Sequence, residues 1–111
     1  MMHLDGEQVL LRVFIGEADR RDGRPLYQWL LEYLRREKIS GATVLRGIAG
    51  FGATSHLHTA NILRLSHDLP IVIETVDTEE NIQRVLPEIE KAIGGGLITM
   101  EKIRVIRYGV S

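Results

Sequence analysis

The sequence predicts an α+β domain of ferredoxin-like βαββαβ order, a four-stranded antiparallel sheet with two helices on one face. Three observations carry that expectation. Gln8 to Ile15 and Leu69 to Val76 alternate with the two-residue period of strands. Pro25 to Lys38 and the stretch after Thr78 repeat apolar residues at helical spacing, and glycine-rich turns separate the blocks. With 111 residues, 44% of them hydrophobic and 26% charged, the chain can bury one core, so a single domain over residues 1–111 is expected.

The first strand sets Val9, Leu11, Val13 and Ile15 against Gln8, Leu10, Arg12 and Phe14. Asp22-Gly23 then supplies turn chemistry, and Pro25 suits the first turn of a helix, where its missing N–H costs nothing. That helix is expected from Pro25 to Lys38, with Leu26, Leu30, Tyr33 and Leu34 on its inner face and Gly41 as its stop. Ala42 to Ile48 reads as the second strand. Ala60 to Leu65 begins a third, and Leu69 to Val76 forms its stronger core, giving a hairpin. Asp77 or Thr78 can cap the second helix, with Glu80 at capping-box spacing from Asp77; Ile82, Val85, Leu86, Ile89 and Ile93 mark its buried face, and Pro87 should kink it. Leu97 to Tyr108 is the expected last strand.

Both faces of this sheet are apolar, because Leu10 and Phe14 oppose the inner residues of the first strand, as Val72 and Val76 do in the third. Two helices cover one face only. The other, which carries Arg12 and Glu74, is therefore expected to pack against copies of the chain. Formal charge is −1 with acids and bases interspersed, which gives no field to attract nucleic acid or an anionic membrane. Aromatics are only 5% of the chain, too few for the stacking platform of an RNA-binding sheet, and no arginine loop matches the acylphosphatase reading of the same fold. Without cysteine there is no disulfide or thiolate chemistry. Asp5 and Glu7 stand where a signal peptide would be basic or apolar, and no apolar run is long enough to insert in a membrane, so a cytoplasmic protein is expected.

The chemistry-bearing motifs are two glycine loops, Gly47-Ile48-Ala49-Gly50-Phe51-Gly52-Ala53-Thr54 and Gly94-Gly95-Gly96. Glycine lets backbone N–H groups approach a phosphate and adopt positive φ, although the same residues serve equally well as turns and a helix cap. Neither loop matches the dinucleotide fingerprint or the Walker A pattern. Downstream, His56 and His58 form a His-x-His pair whose rings share one side of an extended segment; Asp68 or His67 could join them, but no third ligand is identifiable nearby. Asp77, Glu79 and Glu80 are better explained as helix-capping acids than as a catalytic pair.

Ile39-Ser40-Gly41-Ala42-Thr43-Val44, Gly50-Phe51-Gly52, the acidic-capped second helix, the glycine loop before the last strand and Ile106-Arg107-Tyr108-Gly109 together resemble the P-II nitrogen-signalling superfamily. Arg46 to Gly52, His58-Thr59-Ala60 and Leu69 to Glu74 are closer still to the P-II-like domain-of-unknown-function family 190. The resemblance implies a compact homotrimer with sheets facing inward, an adenine-nucleotide site between subunits and no agreed enzymatic activity. Carried over by position, it implies nucleotide contacts at Gly50, Phe51, Gly52, Thr54, Gly94, Gly95, Gly96, Arg104 and Arg107, with Ser40 and Thr43 as candidates for the base. One extra residue separates Gly50 from Thr43-Val44 relative to the family pattern. P-II proteins also carry arginine, glutamine and lysine after Gly-Phe-Gly and a lysine in the second loop, where this chain has neither. AMP or ADP is therefore favoured over ATP, no cofactor is required, and 2-oxoglutarate with magnesium is disfavoured. No tyrosine lies between Tyr33 and Tyr108, which removes the usual uridylylation target. A protein or membrane-transporter partner fits the resemblance without being identified by it. The alternative is a metal-responsive trimer resembling the divalent-ion-tolerance proteins, which would use His56 and His58.

Overall fold

The computed structural model describes residues 6–52 and 68–109. Along the chain these form β1 (Gly6–Gly16), β2 (Arg20–Arg21), β3 (Arg24–Pro25), α1 (Leu26–Arg36), β4 (Thr43–Arg46), β5 (Pro70–Asp77), α2 (Glu79–Ile93) and β6 (Leu97–Val105). The main sheet has the order β4-β5-β1-β6 with every neighbour antiparallel, the expected ferredoxin-like arrangement. Val9, Leu11, Val13, Ile15, Ile71 and Ile73 from one sheet face join Leu26, Leu30, Leu34, Ile82, Val85 and Ile89 from the helices in a single core. Seven of its side chains, including Leu11, Leu30, Ile82 and Ile89, are almost wholly withdrawn from water, each worth about 1.5–3 kcal/mol of transfer free energy.

Among the described residues no helix covers the opposite face, whose residues fall into rows across the strands. Leu45, Val72, Phe14 and Leu97 make an apolar row, and Thr43, Glu74, Arg12 and Thr99 a polar one beside it. Within that polar row Arg12 donates through Nε to Glu74 at 2.8 Å, and through Nη1 it reaches Glu101 of the next row at 2.9 Å. These bonds, Glu74's first, raise the Arg12 guanidinium above its ordinary value against an opposing desolvation.

Several boundaries differ from expectation for local reasons. Asp22-Gly23 is the tip of a two-stranded ribbon, β2 with β3, and both residues have positive φ as a type I′ turn requires. Pro25 ends that ribbon and precedes α1 instead of occupying its first turn. The helix ends at Arg36, and the stop residue beyond it is Lys38 and not Gly41. Ile39 N–H donates to the Leu34 carbonyl and Lys38 N–H to the Arg35 carbonyl, a Schellman motif that leaves Lys38 at φ +62°. Burial of Ile39 on the core side accompanies the motif, so a packing contact holds a lysine where glycine is usual. In α2 the cap is Thr78, whose hydroxyl accepts from Asn81 N–H, so the capping frame lies one residue beyond the Asp77–Glu80 spacing. The helix continues through Pro87, which is exposed along with Gln83, whose carbonyl it leaves without a donor; water can serve that group. β4 is shorter than the Ala42 to Ile48 expectation, and the first part of the expected third strand lies outside the described residues. β6 ends at Val105, in register with Gly6 of β1, short of the expected Tyr108.

Candidate functional site

The two glycine loops converge at one end of the sheet. Gly50, Phe51, Gly52 and Gly96 line a cavity of about 380 Å³ together with Phe14, Gly16, Asp68 and Leu97. Two of these glycines are required by sterics. Gly96 has φ +132° and a Cβ there would sit 2.8 Å from the Phe14 carbonyl oxygen, while Gly50 has φ +156° and its Cβ would meet Pro70 Cγ at 2.7 Å. Gly94 closes α2 at φ +59°, and neither it nor Gly95 lines the cavity. Phe51 is largely exposed, as are Ile48 and Leu97, so the mouth is apolar. The acidic side is ordered by backbone donors and one ion pair: Ala18 N–H donates to Asp68 at 3.1 Å, Gly16 N–H to Asp19 at 3.0 Å, and the Arg46 side chain pairs with Glu17 at 2.9 Å.

Arg107 lies elsewhere. It lines a second cavity of about 500 Å³ with Leu10, Ser40, Gly41, Thr43, Glu74, Val76 and Tyr108. Leu10 and Phe14, one in each lining, stand four residues apart on β1, so the two cavities are separated by roughly 13 Å of strand. The floor of the second cavity is held by hydroxyls and one carboxylate. Ser40 donates its N–H to Asp77 Oδ2 at 2.8 Å and its hydroxyl to the Val76 carbonyl, and the Thr75 hydroxyl donates to the Gly41 carbonyl. Asp77 is fully buried and also accepts from Thr78 N–H at 2.7 Å and Asn81 Nδ2 at 2.8 Å.

The structure thus gathers Gly50, Phe51, Gly52 and Gly96 in one place, and Arg107 with Ser40 and Thr43 in another. Arg104 lines neither cavity; it pairs across from Glu7, on the sheet face opposite the one shared by Leu10 and Glu74. Thr54, His56 and His58 lie outside the described residues. Sequence reasoning missed Tyr108, whose hydroxyl donates to the Ser40 carbonyl at 2.6 Å, because its place in an alternating run read as continued strand. Asp77 was visible only as a possible cap, since nothing local shows that a residue 37 positions upstream shares it.

The fold is ferredoxin-like, of the form found in solved PII-like proteins. A solved structure of CPII bound to ADP, AMP and acetate, from Thiomonas intermedia K12, superposes with a TM-score of 0.67 at 16% identity, covering 90% of this chain and 89% of that one. A putative PII-like signaling protein from Thermus thermophilus gives a TM-score of 0.60 at 19% identity, covering 93% and 94%. Residues 8–105 match the family model DUF190, described as Uncharacterized ACR, COG1993, and the chain belongs to that family. Relatives called UPF0166 protein are 43% identical over 97 residues in Aquifex aeolicus (87% of this chain, 91% of the relative) and 41% identical over 99 residues in Methanocaldococcus jannaschii (88% and 91%).

Proposed function

We propose that this chain is a P-II-like regulatory protein that assembles as a homotrimer through its open sheet face and binds AMP or ADP in clefts between subunits. The observation that carries the reading is the division of the candidate residues. One end of the open face offers close backbone approach at its glycines, and the other offers an arginine, four hydroxyl residues and an apolar wall. Each is half of a nucleotide site, and neither can complete the other within one chain. Packing against a neighbour's open face brings the glycine half of one subunit to the Arg107 half of the next. Structures of similar fold solved with bound ADP and AMP support the ligand class.

Binding, and not catalysis, is the role these residues fit. The Ser40 and Thr75 hydroxyls and Glu74 are occupied in holding backbone or Arg12. Regulation would follow from unequal affinity for two conformations of the protein, since a ligand shifts an equilibrium only by that difference. Calorimetry with AMP, ADP and ATP on the parent protein, Gly52→Val and Arg107→Ala tests the site. Losing one charge-assisted contact should cost roughly 1.5–3 kcal/mol, about ten- to a hundredfold in affinity, while sedimentation still gives the trimer. Absence of adenine-nucleotide binding by the parent, or unchanged affinity in both variants, would refute the assignment.

A further inference from the structure

Beyond β6 the chain leaves the sheet and crosses the end of the open face. Among the described residues, the segment from Ile106 to Gly109 makes one hydrogen bond to the rest of the domain, from the Tyr108 hydroxyl to the Ser40 carbonyl at 2.6 Å. The receiving residue is firmly anchored. Ser40 is tied by its N–H to the buried Asp77 carboxylate and by its hydroxyl to Val76, and that same carboxylate holds the start of α2 through Thr78 and Asn81. A single-point attachment therefore joins a tail with few other ties to a floor with many. Arg107, the residue immediately before the attachment, lines the cavity above that floor and makes no ion pair among the described residues.

We infer that Tyr108 is a positioning residue: its bond to the Ser40 carbonyl latches the C-terminal segment over the cavity lined by Ser40, Thr43 and Val76, and so aims Arg107 at an anionic ligand held there. The identity of that anion rests on the nucleotide reading above, whereas the latch is a property of the tail. A neutral hydroxyl-to-carbonyl bond at a partly exposed site has a small net worth, so the latch is of the size that ligand binding can reinforce. Docking Arg107 beforehand spares the ligand the cost of ordering the segment.

Trypsin reads the latch directly, because cleavage after Arg107 requires the segment to lift from the floor. The rate of release of residues 108–111 is measured by mass spectrometry for the parent and Tyr108→Phe, with synthetic peptides of residues 101–111 correcting for the change beside the scissile bond. The phenylalanine variant should be cut several-fold faster, and saturating ADP should slow cleavage of the parent. Calorimetry with ADP then compares Tyr108→Phe, Arg107→Ala and the double variant. Removing the hydroxyl should weaken binding roughly three- to tenfold when Arg107 is present, and by less than about twofold when it is absent. Equal corrected cleavage rates overturn the latch. An equal loss with and without Arg107 makes Tyr108 a direct ligand contact and overturns its positioning role. If the parent binds no ADP, the nucleotide reading fails and the aiming of Arg107 at that ligand fails with it, while faster cleavage of Tyr108→Phe still establishes the latch.

Discussion

Replacing Gly96 with alanine separates a glycine required by packing from one required by a ligand. The residue adopts φ +132°, and the added Cβ would lie 2.8 Å from the carbonyl oxygen of Phe14, a backbone atom of β1 whose residue is in register with Leu97. Holding a non-glycine residue in so sparsely populated a region costs about 1–3 kcal/mol. Forcing a methyl group against a neighbouring strand adds about 1–3 kcal/mol of overpacking. The combined cost of about 2–6 kcal/mol is a large share of the 5–15 kcal/mol typical of a domain. Gly94 supplies the comparison: it has φ +59° and ψ −84°, but a Cβ there meets nothing within 4 Å, so Gly94→Ala should cost only the backbone share, about 1–3 kcal/mol. Urea unfolding followed by Trp29 fluorescence places both variants on one scale. Gly96→Ala should have the lower midpoint in the absence of any nucleotide. Equal midpoints, or a Gly96→Ala protein as stable as its parent, would refute the argument that contact with β1 demands glycine here.

An aspartate introduced at Leu10 or Phe14 should lower the mass found by sedimentation equilibrium below that of the parent assembly, whereas Gln83→Asp on the exposed side of α2 should not; an intact oligomer in the first two would place the interface elsewhere. Asp77→Ala leaves three donors without their acceptor and should cost about 3 kcal/mol or more, against about 1 kcal/mol for loss of the Thr78 cap in Thr78→Ala; comparable urea midpoints would contradict the central place given to that carboxylate. Burial, followed by the influence of Glu37 and Glu88, raises the Tyr33 phenol above its ordinary value. The unfolded chain then loses this proton first, so stability is intact below about pH 10 and declines as pH rises from the unfolded value through the folded one. Tyr33→Phe should flatten that alkaline decline, and an unchanged slope would assign it to other groups.

What the sequence made legible was whatever depends on one element at a time. The parity of Val9, Leu11, Val13 and Ile15 identifies the buried side of β1 without reference to any partner, and Ile82, Val85 and Ile89 do the same for α2. The misplaced boundaries belong to contacts between distant residues. Lys38 ends α1 because Ile39 is drawn into the core, a tertiary fact that outweighs the preference for glycine. β6 stops at Val105, although Ile106 to Tyr108 continues a strand-like pattern, and the Tyr108 hydroxyl bonds the distant Ser40 carbonyl instead. The candidate site divides in the same way. Glycine spacing marked both loops, and the antiparallel register brings Gly50 and Gly96 together, but nothing local reveals that Arg107 stands at the other end of β1.

The open face links those two ends electrostatically. Glu74 is the acidic residue lining the cavity that holds Arg107, and left to itself it would be a natural counter-ion for that guanidinium. It is already engaged, because Arg12 donates to Glu74 at 2.8 Å while also reaching Glu101. Both bonds are partly exposed in the single chain, so as they stand each is worth little. Covering the face with a second copy would remove water from the pair and strengthen it, provided the geometry is kept and the surplus carboxylate finds a donor. A chain assembled through this face would then keep Glu74 on Arg12 and leave Arg107 to an incoming anion. Assembly and anion affinity are therefore expected to rise or fall together through one arginine that touches no ligand. In that scheme Arg12 belongs to the site as much as the glycines do, although its own side chain lies in the polar row at the middle of the sheet.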